Sequence, residues 1–273
     1  VKKGDTVKKY QLIAQADGFV SANLHAPTSG TVSAIKEIPG SMGVPAMAIE
    51  ITSDGLDEGH PPFEKIENWQ TTPAELLKQR VIDAGLVGMG GASFPTHVKL
   101  SPPPDKAIDT LIFNGAECEP FITADYRECM ENPDDILGGV YLLKKLLGIE
   151  KVIIGVEDNK PKAIKTLYEI ASNEQDTDDS VKLMKLKSRY PQGAEKVLIY
   201  SATKRKLPLG KLPADIGCIV MNITSIAFLY RYIKTGMPLV TKRITVDGNA
   251  ITEPKNLIVP IGTPISYVLD FCK

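Results

Sequence analysis

The chain has 273 residues, with 32 basic against 33 acidic side chains, a formal net charge of −1, 43% hydrophobic residues and 24% charged ones. That is the composition of an ordinary globular protein. It offers no basic excess for nucleic acid, and no stretch of about 20 apolar residues that could cross a bilayer. The most apolar late segment, Ile216 to Ile233, is interrupted by Asn222, Thr224, Ser225 and Arg231. At about 150 residues per domain, the length predicts two domains, or one with appendages.

In chain order, Val7, Leu12–Ile13, Val20 and Leu24 fall in short stretches separated by turns at Lys3-Gly4-Asp5 and Asp17-Gly18. Thr31 to Ile35 and Met47 to Ile51 read as further strands. Short strands punctuated by Gly and Pro predict a small β module over residues 1–52. An Asp-, Glu-, Gly- and Pro-rich linker leads to a helix for which Thr72, Pro73 and Glu75 form a capping-box signature. Leu77, Val81 and Ile82 supply its buried stripe, and Gly85 is placed to end it.

Strands and helices then alternate. Strands are predicted at Ile108–Phe113, Lys151–Val156, Val181–Leu186 and Ile216–Met221. Helices are predicted at Asp135–Leu147, Pro161–Ala171, Gly193–Ser201 and Ser225–Lys234, with Asn173 to Asp179 an acidic, solvated connection. This alternation predicts an α/β domain over residues 53–238, with a mainly parallel sheet covered on both faces. From Arg243 to Ile251 the pattern reads as a hairpin turning at Asp247-Gly248. A last helix is expected from Ser266, making 239–273 a third, small module whose sequence breaks off in mid-helix.

Cys118, Cys129, Cys218 and Cys272 contain no CxxC pair and are accompanied by three histidines. Reduced, mostly buried thiols are expected, with neither a disulfide scaffold nor a closed metal site. His97 reads as structural, and His25 and His60 as surface or turn residues.

Four turns carry candidate chemistry. Gly88-Met89-Gly90-Gly91-Ala92-Ser93-Phe94-Pro95 removes three side chains from one loop, so backbone N–H groups can approach an anion or a flat ring. It follows a helix and lacks a glycine at Ser93, so it is no dinucleotide fingerprint. Phe94 adds an aromatic face, and Lys99 a cation for phosphate. Asn114-Gly115-Ala116-Glu117-Cys118-Glu119-Pro120 follows the first strand of the α/β pattern, where open sheets bind ligands. Asn114 suits a heterocycle edge or a sugar hydroxyl. Glu117 and Glu119, two residues apart, would point to one side of an extended segment, serving a metal, acid–base chemistry or ribose hydroxyls. Arg189 to Glu195 and Met221 to Ser225 are the other two turns, both at strand ends. All four are expected to converge on one crevice.

The segments GMGGASFPTHVKL, NGAECEPFITADYREC, YPQGAEKVLI and LPADIGCIVMNITS, in this order, resemble the RnfC family, a component of Rnf ion-translocating electron-transport complexes. More distantly they are similar to the flavin-bearing, NADH-oxidising subunit of respiratory complex I. The start of the chain, VKKGDTVKKYQLIAQADG to HAPTSGTVSAI, resembles the biotinyl/lipoyl-like barrel-sandwich family, without its lysine-bearing hairpin.

The resemblance implies FMN held without a covalent bond, with NAD(H) stacked against it. It assigns Gly88, Gly90, Gly91 and Lys99 to the flavin and its phosphate, and Asn114, Glu117 and Asn222 to the flavin or its ribityl chain. Phe94, Glu119 and Glu195 would face the nicotinamide nucleotide, and Gly193 would let the ligand reach the backbone. The flavin carries the chemistry, so no catalytic side chain is implied. Met89, Ser93 and Ala194 depart from the complex I pattern of arginine, glycine and acid. The resemblance makes the α/β domain a Rossmann-like FMN-binding fold and the last module the start of a β-grasp (SLBB) unit, with two [4Fe–4S] clusters implied beyond it. Their CxxCxxCxxxCP motifs do not occur in this sequence, so a truncated chain is expected. It further implies partner subunits of an Rnf-type membrane complex, ferredoxin-linked electron transfer coupled to ion translocation, and a peripheral place on the cytoplasmic face of the plasma membrane. A soluble flavoprotein reductase resembling cobalamin reductases, or a non-catalytic docking module, stays open beside it.

Overall fold

In the first module β1 (Thr6–Val7), β4 (Gly30–Pro39) and β5 (Pro45–Ser53) form an antiparallel sheet, while β2 (Leu12–Ala14) pairs with β3 (Leu24–His25). The structure is a computed structural model and describes residues 1–40, 43–173 and 180–273; the acidic connection expected at Asn173 to Asp179 lies outside them save for the helical backbone of Asn173. Val7, Ile13, Ala26 and Val32 make a small core of their own. Val20 is in no strand and is 63% exposed.

The central sheet contains β6 (Thr110–Gly115), β7 (Lys151–Glu157), β8 (Val181–Leu186) and β9 (Cys218–Asn222), all parallel, in the order β8-β7-β6-β9. β6 and β7 are buried almost end to end because both faces are covered, which is why each carries consecutive apolar residues, Leu111-Ile112-Phe113 and Val152-Ile153-Ile154. On one face lie α1 (Ala74–Asp83), α4 (Pro133–Leu147), α5 (Pro161–Asn173) and α7 (Ile223–Thr235), sharing the main core. On the other, α6 (Glu195–Thr203) lies alone over Ile112, Leu186, Cys218 and Val220. Two helices carry no periodic apolar signal: α2 (Thr96–Lys99) is a single turn, and α3 (Ala124–Glu131) is largely polar with only Glu128 and Cys129 buried.

Two local expectations are corrected. Thr72 does not cap α1: its hydroxyl donates to the Asn68 carbonyl at 3.0 Å, while Glu75 pairs with Lys78 at 2.9 Å. Gly85 does follow the helix end at φ +63°. The hairpin expected at Arg243 to Ile251 forms, but its second strand starts later: β10 (Thr241–Val246) pairs antiparallel with β11 (Lys255–Pro260) across an eight-residue connection that opens at Asp247-Gly248. α8 (Ile265–Cys272) closes over this pair through Val268 and Cys272.

The first module is fastened beside the glycine loop. The Phe19 carbonyl lies 2.9 Å from His97 Nε2, and their rings meet edge to face. His25 is not a surface residue: it is 6% exposed against Phe63, and neither ring nitrogen has a hydrogen-bond partner. Burial lowers its pKa to about 4, against a smaller upward pull from Asp83. The folded state therefore binds fewer protons than the unfolded chain between about pH 6.5 and pH 4. Stability from the neutral ring is complete above that window and is lost as pH falls through it. Lowering the pH from 7 to 5 is expected to cost about 2 kcal/mol at this site. Urea melts of wild type and His25→Leu at both pH values check this; equal slopes in the two proteins would refute it.

Candidate functional site

Between β6 and β9 the chain reverses its direction of travel across the sheet, which opens a crevice at the carboxyl ends of these strands. Asn114, next to last in β6, lies opposite Asn222, the last residue of β9, in the parallel register. The two amides form the floor of a cavity of about 170 Å³ that opens to solvent. Gly88, Gly90, Ala92, Phe94 and Thr96 line one wall, Lys99 and Glu195 another, and Val220, Met221 and Ser225 complete it.

The glycine loop is pinned at its ends and open in the middle. Gly88 N–H donates to the Phe94 carbonyl at 2.8 Å, and Met89 N–H to the Ser225 hydroxyl at 2.9 Å. A side chain at Gly90 would come within 3.3 Å of Asn222. Gly91 has φ +113° and open space where a side chain would begin. Ser93 holds φ +50°, a left-handed conformation uncommon outside glycine. Phe94, 38% exposed, stands at the mouth.

Lys99 Nζ lies 3.3 Å from Glu195 Oε1 and donates to the Val220 carbonyl at 3.0 Å. Asn114 donates through Nδ2 to the Gly193 carbonyl at 2.9 Å and accepts from Ala116 N–H at 3.0 Å. Its amide thus ties the end of β6 to the loop before α6. A side chain at Gly193 would sit 2.7 Å from the Ala116 carbonyl, so these two walls touch through glycine backbone. Asn222 caps α7 by accepting from Ser225 N–H at 3.2 Å. The unpaired N–H groups of that helix's first turn therefore lie beside the cavity, a favourable place for an anion.

Seven of the eleven sequence candidates line the cavity: Gly88, Gly90, Phe94, Lys99, Asn114, Glu195 and Asn222. Gly91 and Gly193 belong to the loops that make its walls. Glu117 and Glu119 do not share a side. Glu117 turns beneath α3 and accepts from Asp125 N–H at 2.7 Å and Tyr126 N–H at 2.9 Å. Glu119 is exposed. Burial, and then the nearby Asp125 carboxylate, push the Glu117 pKa up to about 7. Among the described residues no group of three His, Cys, Asp or Glu side chains is placed to hold a metal ion.

Sequence reasoning missed Asp125. It accepts from Asn222 Nδ2 at 2.6 Å and Thr224 Oγ1 at 2.5 Å, and so fixes the crevice end of β9 from below. Its burial raises its pKa to about 6 despite those two donors. The signal available was an acid in the first turn of a helix, following Thr123, but α3 itself was too polar to be recognised.

The chain is similar to known proteins. Residues 81–231 match the Nuo51 FMN-binding domain, and residues 1–56 match the RnfC barrel sandwich hybrid domain. The chain is 46% identical over 272 residues to the C subunit of the proton-translocating ferredoxin:NAD(+) oxidoreductase complex of Clostridium ljungdahlii, covering all of this chain and 58% of that protein. It is 43% identical to the Na(+)-translocating counterpart of Acetobacterium woodii, covering 100% of this chain and 60% of that protein. The chain thus spans about three-fifths of these relatives' length. A chain of an NAD+-reducing [NiFe]-hydrogenase shares the fold with a TM-score of 0.62 at 22% identity, over 77% of this chain and 42% of the other.

Proposed function

The chain belongs to the Nuo51 FMN-binding domain family, and from that premise we propose that it is the FMN- and NAD(H)-binding electron-transfer part of an RnfC-type subunit. The observation that carries this reading is the convergence of the glycine loop, the Asn114–Asn222 pair and the start of α7 on one crevice. The donor set suits a flavin nucleotide: side-chain-free backbone for a flat ring, two amides for ring or sugar oxygens, and a helix start with Lys99 for phosphate.

FMN held here would supply the conversion between two-electron hydride transfer and one-electron transfer. The protein's part is to bind, orient and exclude. Gly88, Gly90 and Gly91 leave room for the ring, while Asn114 and Asn222 present amide groups at the floor. Lys99, held against Glu195 in the crevice wall, is the cation that would face phosphate. Phe94 offers a ring at the open side, with Glu195 and the exposed Glu119 nearest in sequence to the walls where a nicotinamide nucleotide enters. Gly193 keeps the opposite wall low. Glu117 works from beneath, holding the first turn of α3 so that Asp125 holds Asn222.

The relatives' names place them in ferredoxin:NAD oxidoreductase complexes that move protons or Na+. We extend that role to this chain, as a peripheral subunit on the cytoplasmic face, with [4Fe–4S] clusters carried outside these 273 residues. No helix among the described residues is long and apolar enough to cross a membrane, so attachment would go through partner subunits. Titration of the purified chain with FMN, followed by flavin fluorescence, is expected to saturate at about one flavin per chain. NADH should then bleach the bound flavin under anaerobic conditions. A folded chain that binds no FMN would refute the proposal.

A further inference from the structure

Charge is distributed unevenly along this near-neutral chain. Residues 180–213 hold nine of its 32 basic side chains and one of its 33 acidic ones, leaving 23 basic and 32 acidic elsewhere. The fold gathers much of that excess on the thinly covered face of the central sheet. On α6, Leu198 and Ile199 point into the core, and Lys196 and Tyr200, one turn apart, are exposed. Lys204 follows the helix and lies 5.6 Å from the centre of the Tyr200 ring. Leu207 then packs back onto the same core, so the segment carrying Lys206, Leu209, Lys211 and Leu212 runs over this face.

Lys196, Lys204, Lys206 and Lys211 are all exposed, and none has a carboxylate within 4 Å among the described residues. The acids nearest this face are taken by other cations: Asp109 by Arg205 at 2.7 Å, Asp215 by Lys106 at 3.1 Å and Glu195 by Lys99. Leu209 is 94% exposed and Leu212 70% exposed within this positive field. Apolar side chains inside a ring of unpaired charges have the make-up of a protein–protein interface.

We propose that the α6 face is a docking surface for an acidic protein. The restricted patch favours a compact partner, because the rest of this chain carries a net charge of −9. A duplex or a membrane extends well beyond one face and would also meet that acidic remainder, whereas a protein footprint of roughly 800 Å² per partner fits on one face. Nor does α6 resemble a membrane-surface helix: it has nine residues and carries one lysine. The face adjoins the crevice through Glu195, the first residue of α6, so a docked partner would sit next to the wall formed by the loop before that helix.

The test compares wild type with Lys196→Glu/Lys204→Glu/Lys206→Glu/Lys211→Glu, using poly-L-glutamate, phosphatidylglycerol vesicles and duplex DNA as probes. Poly-L-glutamate is expected to bind wild type best, roughly tenfold more weakly at high than at low salt, and to lose at least about tenfold in the variant. Lys→Gln at the same four positions should give an intermediate loss and covers the case in which the reversed variant fails to fold. Leu209→Ser/Leu212→Ser should leave poly-L-glutamate binding unchanged. Stronger binding of vesicles or DNA than of poly-L-glutamate, no binding at low salt, or an equal loss from Lys2→Glu/Lys3→Glu/Lys36→Glu/Lys78→Glu would overturn the proposal.

Discussion

Gly91→Asp is expected to abolish FMN binding while leaving the fold intact. Gly91 sits at φ +113°, where a residue with a side chain is strained whatever the space around it, at a cost of about 1–3 kcal/mol. The space at Gly91 is open, so the substitution meets no packed neighbour and the core is not disturbed. It does put a carboxylate in the one loop left bare for a ligand, close to where a phosphate would need positive charge. Strain shared by the free and bound protein cancels in binding, so affinity falls through the carboxylate and any loop shift that relieves the strain, by at least about 100-fold if these total about 3 kcal/mol. Gly91→Ala separates the two effects: it keeps the strain without the charge and should weaken binding by less. Flavin fluorescence titration of the three proteins decides it. Unchanged affinity in Gly91→Asp would remove the loop from the flavin site.

The largest stability effect is expected at Glu128, which the site does not use. Its side chain is 3% exposed and accepts from Arg231 at 2.6 Å and from Arg243 at 3.3 Å. Arg243 also reaches Glu131 at 2.6 Å, and Arg231 reaches Asp135 at 2.9 Å. Arg243 belongs to β10, so this network joins the last module to α3, α4 and α7, assisted by Thr123 N–H donating to Thr245 Oγ1 at 3.0 Å. Glu128→Ala would leave two guanidinium groups facing each other around a vacated carboxylate. Removing one member of a buried ion pair costs about 3–5 kcal/mol, and the lower end applies because Arg231 is 38% exposed. The urea midpoint should fall by the equivalent of about 3 kcal/mol, with faster proteolytic cutting between β10 and β11. A shift below about 1 kcal/mol would show that the pairs contribute no more than surface ones.

The sequence made the framework of this fold legible because the physics there is periodic. Buried strands such as Lys151–Glu157 carry runs of Val and Ile, and α4 and α7 bury the residues their spacing selects. Most of the crevice was legible for another reason. A glycine-rich loop and amide-bearing turns at strand ends have few structural uses, and the strand order brings the turns after β6 and β9 together. What could not be read comes from contacts between distant segments. Glu117 and Glu119 are two residues apart, but the chain bends at Glu119 and α3 draws the Glu117 carboxylate under itself. His25 looks like a turn residue until Phe63 covers it. The Asp-Gly turn signal was correct about a bend near Gly248, at φ +140°, and misleading about where the answering strand starts. The role of Asp125 depends on Asn222 and Thr224, almost a hundred residues further on, and no local pattern encodes that.

The placement of β9 next to β6 also sets a clock. Asn114 leaves the ribosome 108 residues before Asn222, which at about 5–20 residues per second is an interval of roughly 5–20 seconds. During it β7 and then β8 are made and can join β6, but the crevice has only half its floor and none of the α7 N–H groups. A nascent chain in that interval has the glycine loop and nothing to close it against. The crevice is therefore completed only once β9 and the start of α7 have been made.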